Sequence, residues 1–181
     1  MGNKNLASRY SERTTMFASQ LDKDMGAIRT TSNLRLAVAV LFVIVIYFGY
    51  SQTFLLFALI PAAIVFAMLV KKHAQLFDHK NHLQNLVKVN QSEPKALSAD
   101  SSRFNSGAEF MSAHHPYSYD LDIFGEGSLF QAINRSNTLS GLRKSAHRLT
   151  TPLTSASDIK SNQEAIQELV TKTDFRQHFQ A

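Results

Sequence analysis

The chain contains no cysteine, which excludes a disulfide framework, a thiolate zinc site and a cysteine nucleophile together. A cysteine-free chain fits a reducing compartment. It also lacks the glycine-rich G-x-x-x-x-G-K-[ST] loop that cradles nucleotide phosphates, so the chain by itself is not expected to hydrolyse ATP. A third absence is local. Between Arg35 and Lys71 lie 35 residues without a charge, and 30 of them are hydrophobic. The exceptions are Gly49, Ser51, Gln52, Thr53 and Pro61.

The 44% hydrophobic share of the whole chain conceals this concentration. Three of the exceptions cluster at the middle and define two arms, residues 34–50 and 54–70, each 17 residues long. That is the lower end of the roughly 17–25 residues needed to cross about 30 Å of hydrocarbon. One unbroken helix would run about 52 Å at about 1.5 Å per residue, too long for a single crossing. Two antiparallel crossings joined at Gly49-Tyr50-Ser51-Gln52 fit better, and each helix then satisfies its own backbone, as lipid demands. Lys23, Arg29 and Arg35 precede the first arm; Lys71, Lys72 and Lys80 follow the second. A hairpin puts both flanks on one face, and the positive-inside rule makes that face cytoplasmic. Tyr47 and Tyr50 fall where an aromatic belt would lie at the other face. Ala58 with Ala62, and Ala63 with Ala67, favour close helix approach, and Pro61 is expected to kink the second arm. A buried core hairpin of a soluble protein is the bland alternative. It is disfavoured because core helices rarely run so long without a polar face.

The net charge of +5 divides unevenly. Residues 1–99 hold 11 Lys/Arg against 5 Asp/Glu, and residues 100–181 hold 8 against 9. The basic excess therefore borders the apolar segment and points to an anionic membrane surface before nucleic acid. Residues 5–30 read as an amphipathic helix through Tyr10, Phe17, Leu21 and Ile28. Residues 71–90 continue a helical pattern through Leu76, Leu83, Leu86 and Val87. His73, His79 and His82 lie there. His79 and His82 have metal-ligand spacing without a further ligand, so a solvated face is the better reading. From Gln91 to about Ser118 the chain is polar and broken by Pro94, Gly107 and Pro116, as a linker would be.

Beyond Tyr119, the alternation Asp120-Leu121-Asp122-Ile123-Phe124 predicts a short extended piece. Gly125-Glu126-Gly127 predicts a turn, with Ser128 capping a helix that bears Leu129, Phe130 and Ile133. Thr138 should cap the next, with a stripe of Leu139, Leu142, Ala146 and Leu149, ended by Pro152. Ser155 and Asp158 resemble a capping box for a helix with Ile159, Ile166, Leu169 and Val170 facing inward. Asp174 is expected to cap a last helix carrying Phe175 and Phe179, cut off by the chain end. Asp120 with Asp122, and His114-His115, would be the acid–base candidates, but solvation and loop roles explain them more simply.

The ordered run His115-Pro116-Tyr117-Ser118-Tyr119-Asp120-Leu121-Asp122-Ile123-Phe124-Gly125 resembles the entry to the core domain of a membrane-anchored branch of the MutS family of DNA mismatch-repair ATPases. Gly127 to Gln131, Ile133-Asn134-Arg135, Thr138, Gly141, Leu149, Pro152-Leu153, Ile159, Gln163-Glu164-Ala165-Ile166 and Leu169 continue that resemblance. It implies a tether at a bacterial inner membrane with both termini cytoplasmic, and a homodimer. ATP, magnesium and DNA would be held by a domain absent from this chain. The organisation expected is all-α: an amphipathic helix (1–33), a two-pass transmembrane hairpin (34–70), a juxtamembrane helix and linker (71–118), and a truncated core-like segment (119–181). No catalytic, cofactor or metal residue is expected in it. The alternative is a non-enzymatic two-pass adaptor that binds a protein partner through cytoplasmic helices.

Overall fold

A computed structural model describes residues 2–49 and 57–181. The expected turn residues Tyr50, Ser51 and Gln52, and residues 54–56 of the second arm, lie outside the described residues. The described residues form six α-helices and short 3₁₀ turns, with no strand among them. They include α1 (Gly2–Gly49), α2 (Leu59–Leu97), a 3₁₀ turn (Ala108–Phe110), α3 (Leu129–Ile133), α4 (Leu139–Thr150), α5 (Ala156–Thr171) and α6 (Thr173–Gln180). The chain divides into two compact units: a paired-helix unit, Thr15–Val87, and a terminal unit, Met1–Thr14 with Lys88–Ala181.

No proline interrupts α1, so the amphipathic N-terminal helix and the first apolar arm are one element of 48 residues. Threonines in it return their hydroxyls to the backbone, Thr31 to the Ala27 carbonyl at 2.8 Å and Thr30 to that of Gly26 at 3.1 Å. These bonds let poor helix formers stay in place. Pro61 does not kink α2. The helix begins at Leu59, which puts Pro61 in the first turn, where backbone N–H groups have no intrahelical acceptor to lose. At its other end α2 runs past the expected linker boundary to Leu97, with Pro94 inside it. Packing outweighs the lost donor there, since Asn90 one turn earlier is fully buried. Ala99, in the left-handed region at φ 65°, then turns the chain away.

In the paired-helix unit a row of shielded residues on each helix alternates by threes and fours. In α1 they include Phe17, Leu21, Asp24, Ile28, Thr31, Arg35, Val38, Phe42, Val45 and Gly49. In α2 they include Leu59, Ala62, Phe66, Leu69, His73, Leu76, Lys80, Leu83 and Val87. This is the 3.5-residue repeat of a coiled-coil seam. Phe42 meets Phe66 edge-on at 6.4 Å between centroids, and Asp24 meets His79 at 2.5 Å. Moving toward the N-terminus of α1 moves the contact toward the C-terminus of α2, so the pair is antiparallel. Outside the seam the apolar residues face outward: Val43 is 67% exposed and Met68 65%. Both helices are long and apolar enough to cross a membrane, and almost none of either apolar stretch is buried.

The terminal unit has a small aromatic core of Ile123, Phe124, Phe130, Leu142 and Ala146, with Phe110, Tyr117 and Leu149 against it. The rings of Phe110, Phe124 and Phe130 lie 5.3 to 6.0 Å apart. The stretch Asp120 to Phe124 is not extended. It is a turn with Asp122 at φ 47°, because Ile123 and Phe124 both enter the core and a strand would send neighbours to opposite faces. Ser128 and Thr138 cap α3 and α4 as expected, accepting from the amides of Gln131 and Gly141 at 3.2 and 3.1 Å. Ser155 does not cap α5; its hydroxyl pairs with that of Ser157. Nor does Asp174 cap α6, since it stands inside the first turn and binds Arg13 instead.

His115 and Tyr117 tie the irregular segment to the end of α4. The Tyr117 hydroxyl lies 3.0 Å from the carbonyls of Leu149 and Thr150, and His115 Nε2 donates to Thr150 at 3.1 Å. Because His115 keeps one of these bonds, Tyr117→Phe is expected to destabilise the terminal unit by only about 1 kcal/mol. Hydrogen exchange at the α4 amides of the detergent-solubilised chain measures it.

Candidate protein-docking surface

The terminal unit ends in two helices whose polar and apolar faces are placed unusually. Gln177 of α6 is buried, and its Nε2 donates to Asn90 Oδ1 at 2.7 Å while Asn90 Nδ2 returns a bond at 3.2 Å. Arg13 Nε donates to Gln177 Oε1 at 2.7 Å, and its Nη2 pairs with Asp174. At the C-terminal turn Gln180 Nε2 donates to the Arg135 carbonyl at 3.2 Å. Arg135 is itself fixed by Glu93 at 2.9 Å and lies over the Phe104 ring at 3.8 Å. The amide side of α6 is thus its inner side. Its rings, Phe175 and Phe179, stack at 6.3 Å on the outer side, 60% and 69% exposed.

On α5 no residue is buried. Ile159, Ile166, Leu169 and Val170, expected to face inward, are all exposed. These residues do share one apolar face, but no described residue of the terminal unit covers it. Leu169, Phe175 and Phe179 line a groove of about 400 Å³, completed by Tyr10, Val89, Glu93 and Arg135. Contiguous exposed apolar surface with a polar rim is the mark of an interaction site. Away from that apolar face α5 carries both signs: Lys160 lies 4.0 Å from Glu164, and Lys172 pairs with Glu168. The Lys172 hydrogen bond, and then its charge, hold the Glu168 carboxyl below its ordinary value.

The chemical candidates from sequence do not converge. Among the described residues no three His, Cys, Asp or Glu side chains form a metal-binding group. His79 pairs with Asp24, and His115 Nδ1 is occupied by the Ser118 amide at 3.2 Å. Gly125 and Gly127, at φ 108° and 73°, shape a turn in which the Gly127 amide donates to Gln131 Oε1 at 2.7 Å. Glu126 joins the same side chain at 3.2 Å, where a phosphate would be repelled. Arg13, Asn90 and Gln177 were not singled out by sequence. Isolated polar residues within apolar spacing are their only signal.

No family model, curated protein or solved structure matches the chain. The resemblance to the MutS family is overturned. That family is built around a mixed α/β ATPase core, whereas the described residues are all-α, and no comparison supports kinship. Local needs account for the residues that carried it: His115 and Tyr117 tie α4, Ile123 and Phe124 fill the core, and Ser128 and Thr138 cap helices. The expected homodimer, the DNA and the ATP with magnesium of a missing domain lose their basis with it.

Proposed function

We propose that this chain is a two-pass membrane adaptor: α1 and α2 cross the bilayer, and the exposed face of α5 and α6 receives an amphipathic helix of a protein partner. The observation that carries the reading is α6, with its amide locked inward and both phenylalanines outward. A helix is the fitting occupant because the apolar residues of α5 recur on one face, Ile159 and Ile166 two turns apart, beside a groove rather than a flat patch. Crossing by both helices puts the two chain ends on one side of the membrane, and the basic flanks favour the cytoplasmic side.

A photocrosslinker placed at Ile166 and at Phe179 of the full chain in its native membrane should trap one and the same protein, whereas one at Lys160 should not. Phe175→Asp should then weaken co-purification of that protein by about thirtyfold or more, the loss of a hot spot worth about 2 kcal/mol. If Ile166→Asp and Phe175→Asp both retain the partner, the docking role is wrong.

A further inference from the structure

We infer that the paired-helix unit holds the phosphate of an anionic lipid headgroup between Arg35 and His73. The inference rests on the membrane-crossing reading above. It begins with the register of the seam. Phe42 packs on Phe66. One heptad from Phe42 toward the N-terminus stands Arg35, and one heptad from Phe66 toward the C-terminus stands His73. In an antiparallel pair those two positions share a layer. Both are shielded seam residues, and each has a nitrogen sealed from solvent without a hydrogen-bond partner: Arg35 Nε and His73 Nδ1.

Two basic groups in one layer need an anion, and the seam supplies none. The adjoining seam residues are Thr31, Val38, Leu69 and Leu76. The Thr31 hydroxyl, which donates to the Ala27 carbonyl, carries no charge, and the seam carboxylate of Asp24 is taken by His79. An unpartnered guanidinium N–H in a shielded place costs free energy until an acceptor reaches it. The location names the acceptor. Arg35 immediately precedes the charge-free stretch, and His73 follows it by three residues. This layer therefore lies where lipid phosphates lie. A phosphate oxygen can accept from Arg35 Nε–H and from the imidazole Nδ1–H tautomer together, with the His73 ring steadied by Phe77 at 4.7 Å. Basic pockets between transmembrane helices are known headgroup sites.

The test uses the full chain reconstituted in phosphatidylcholine vesicles containing a minor share of phosphatidylglycerol. Lipid that survives detergent extraction is then weighed by native mass spectrometry. Phosphatidylglycerol should be enriched over its bulk share. Arg35→Gln should lower that enrichment about fivefold, as expected for about 1 kcal/mol per basic residue, and His73→Gln should lower it as well. Lys72→Gln, on the exposed side of the same helix, should leave the retained lipid in place. Unchanged helicity by circular dichroism separates lost binding from lost folding. The assignment is overturned if Arg35→Gln and His73→Gln retain the lipid as the parent does, or if Lys72→Gln loses it equally. Displacement by inorganic phosphate would show that the oxyanion comes from solution, and would overturn the lipid source. A chain that floats with vesicles yet enriches nothing sinks the site alone; one that never floats sinks the membrane reading.

Discussion

Gly107→Ala is expected to cost the terminal unit about 2–5 kcal/mol, most of the stability that so small a core commands. Two independent effects add. Gly107 lies at φ 69°, in the left-handed region, where a side chain costs about 1–2 kcal/mol. Its added Cβ would also come within 2.6 Å and 2.8 Å of Phe130 ring carbons and 3.0 Å of Phe124. Those rings have nowhere to go. Phe130 is fully buried between its aromatic neighbours, and overpacking of this kind costs about 1–3 kcal/mol. Gly26→Ala is the control, because its Cβ would meet nothing within 4 Å on the exposed side of α1. There the change is expected to stabilise by about 0.5–1 kcal/mol. Hydrogen exchange on the detergent-solubilised chain reads both. Equal protection of α3 and α4 in the Gly107→Ala chain and its parent would mean the aromatic core is not packed as described.

Val43→Arg should reduce membrane insertion by about a hundredfold, from a penalty of about 2.5–3.5 kcal/mol for arginine at the centre of a span. The position is chosen because the two readings of the apolar helices disagree there. Val43 is exposed, so on a water-facing surface the same change would cost no more than about 0.5 kcal/mol. Insertion is read with single thiols in the cysteine-free parent. A membrane-impermeant label should reach Ser51→Cys from one side and Arg29→Cys or Lys80→Cys from the other. Val43→Arg should abolish that division. Normal labelling in the Val43→Arg chain would show that α1 does not cross lipid.

What the sequence could convey depended on whether a residue's neighbours were local. Helix caps were readable because Ser128 and Thr138 serve amides three residues away. The apolar arms were readable from composition, and Phe17, Leu21 and Ile28 already traced part of the seam. The seam as a whole was hidden by Asp24, Thr31, Arg35, His73 and Lys80, polar residues in positions where spacing analysis looks for apolar ones. Residues 120–124 misled because alternation is a rule for strands, and here consecutive side chains share one core. The face of α5 was visible but its surroundings were not, since periodicity marks which residues go together without saying what lies opposite. The long reach from Gln177 to Asn90 and Arg13 left no local trace at all.

A helix latched by its own amide cannot roll. To tuck Phe175 and Phe179 away, α6 would have to release the Asn90 pair and the Arg13 bond together, an exchange that water repays poorly. The apolar face is accordingly always on display, and under the proposed docking role a partner would meet it without waiting for a rare open form to be populated. The same permanence has a cost in isolation: left uncovered, Phe175 and Phe179 keep a sticky patch in water, and copies of the chain should cling to one another.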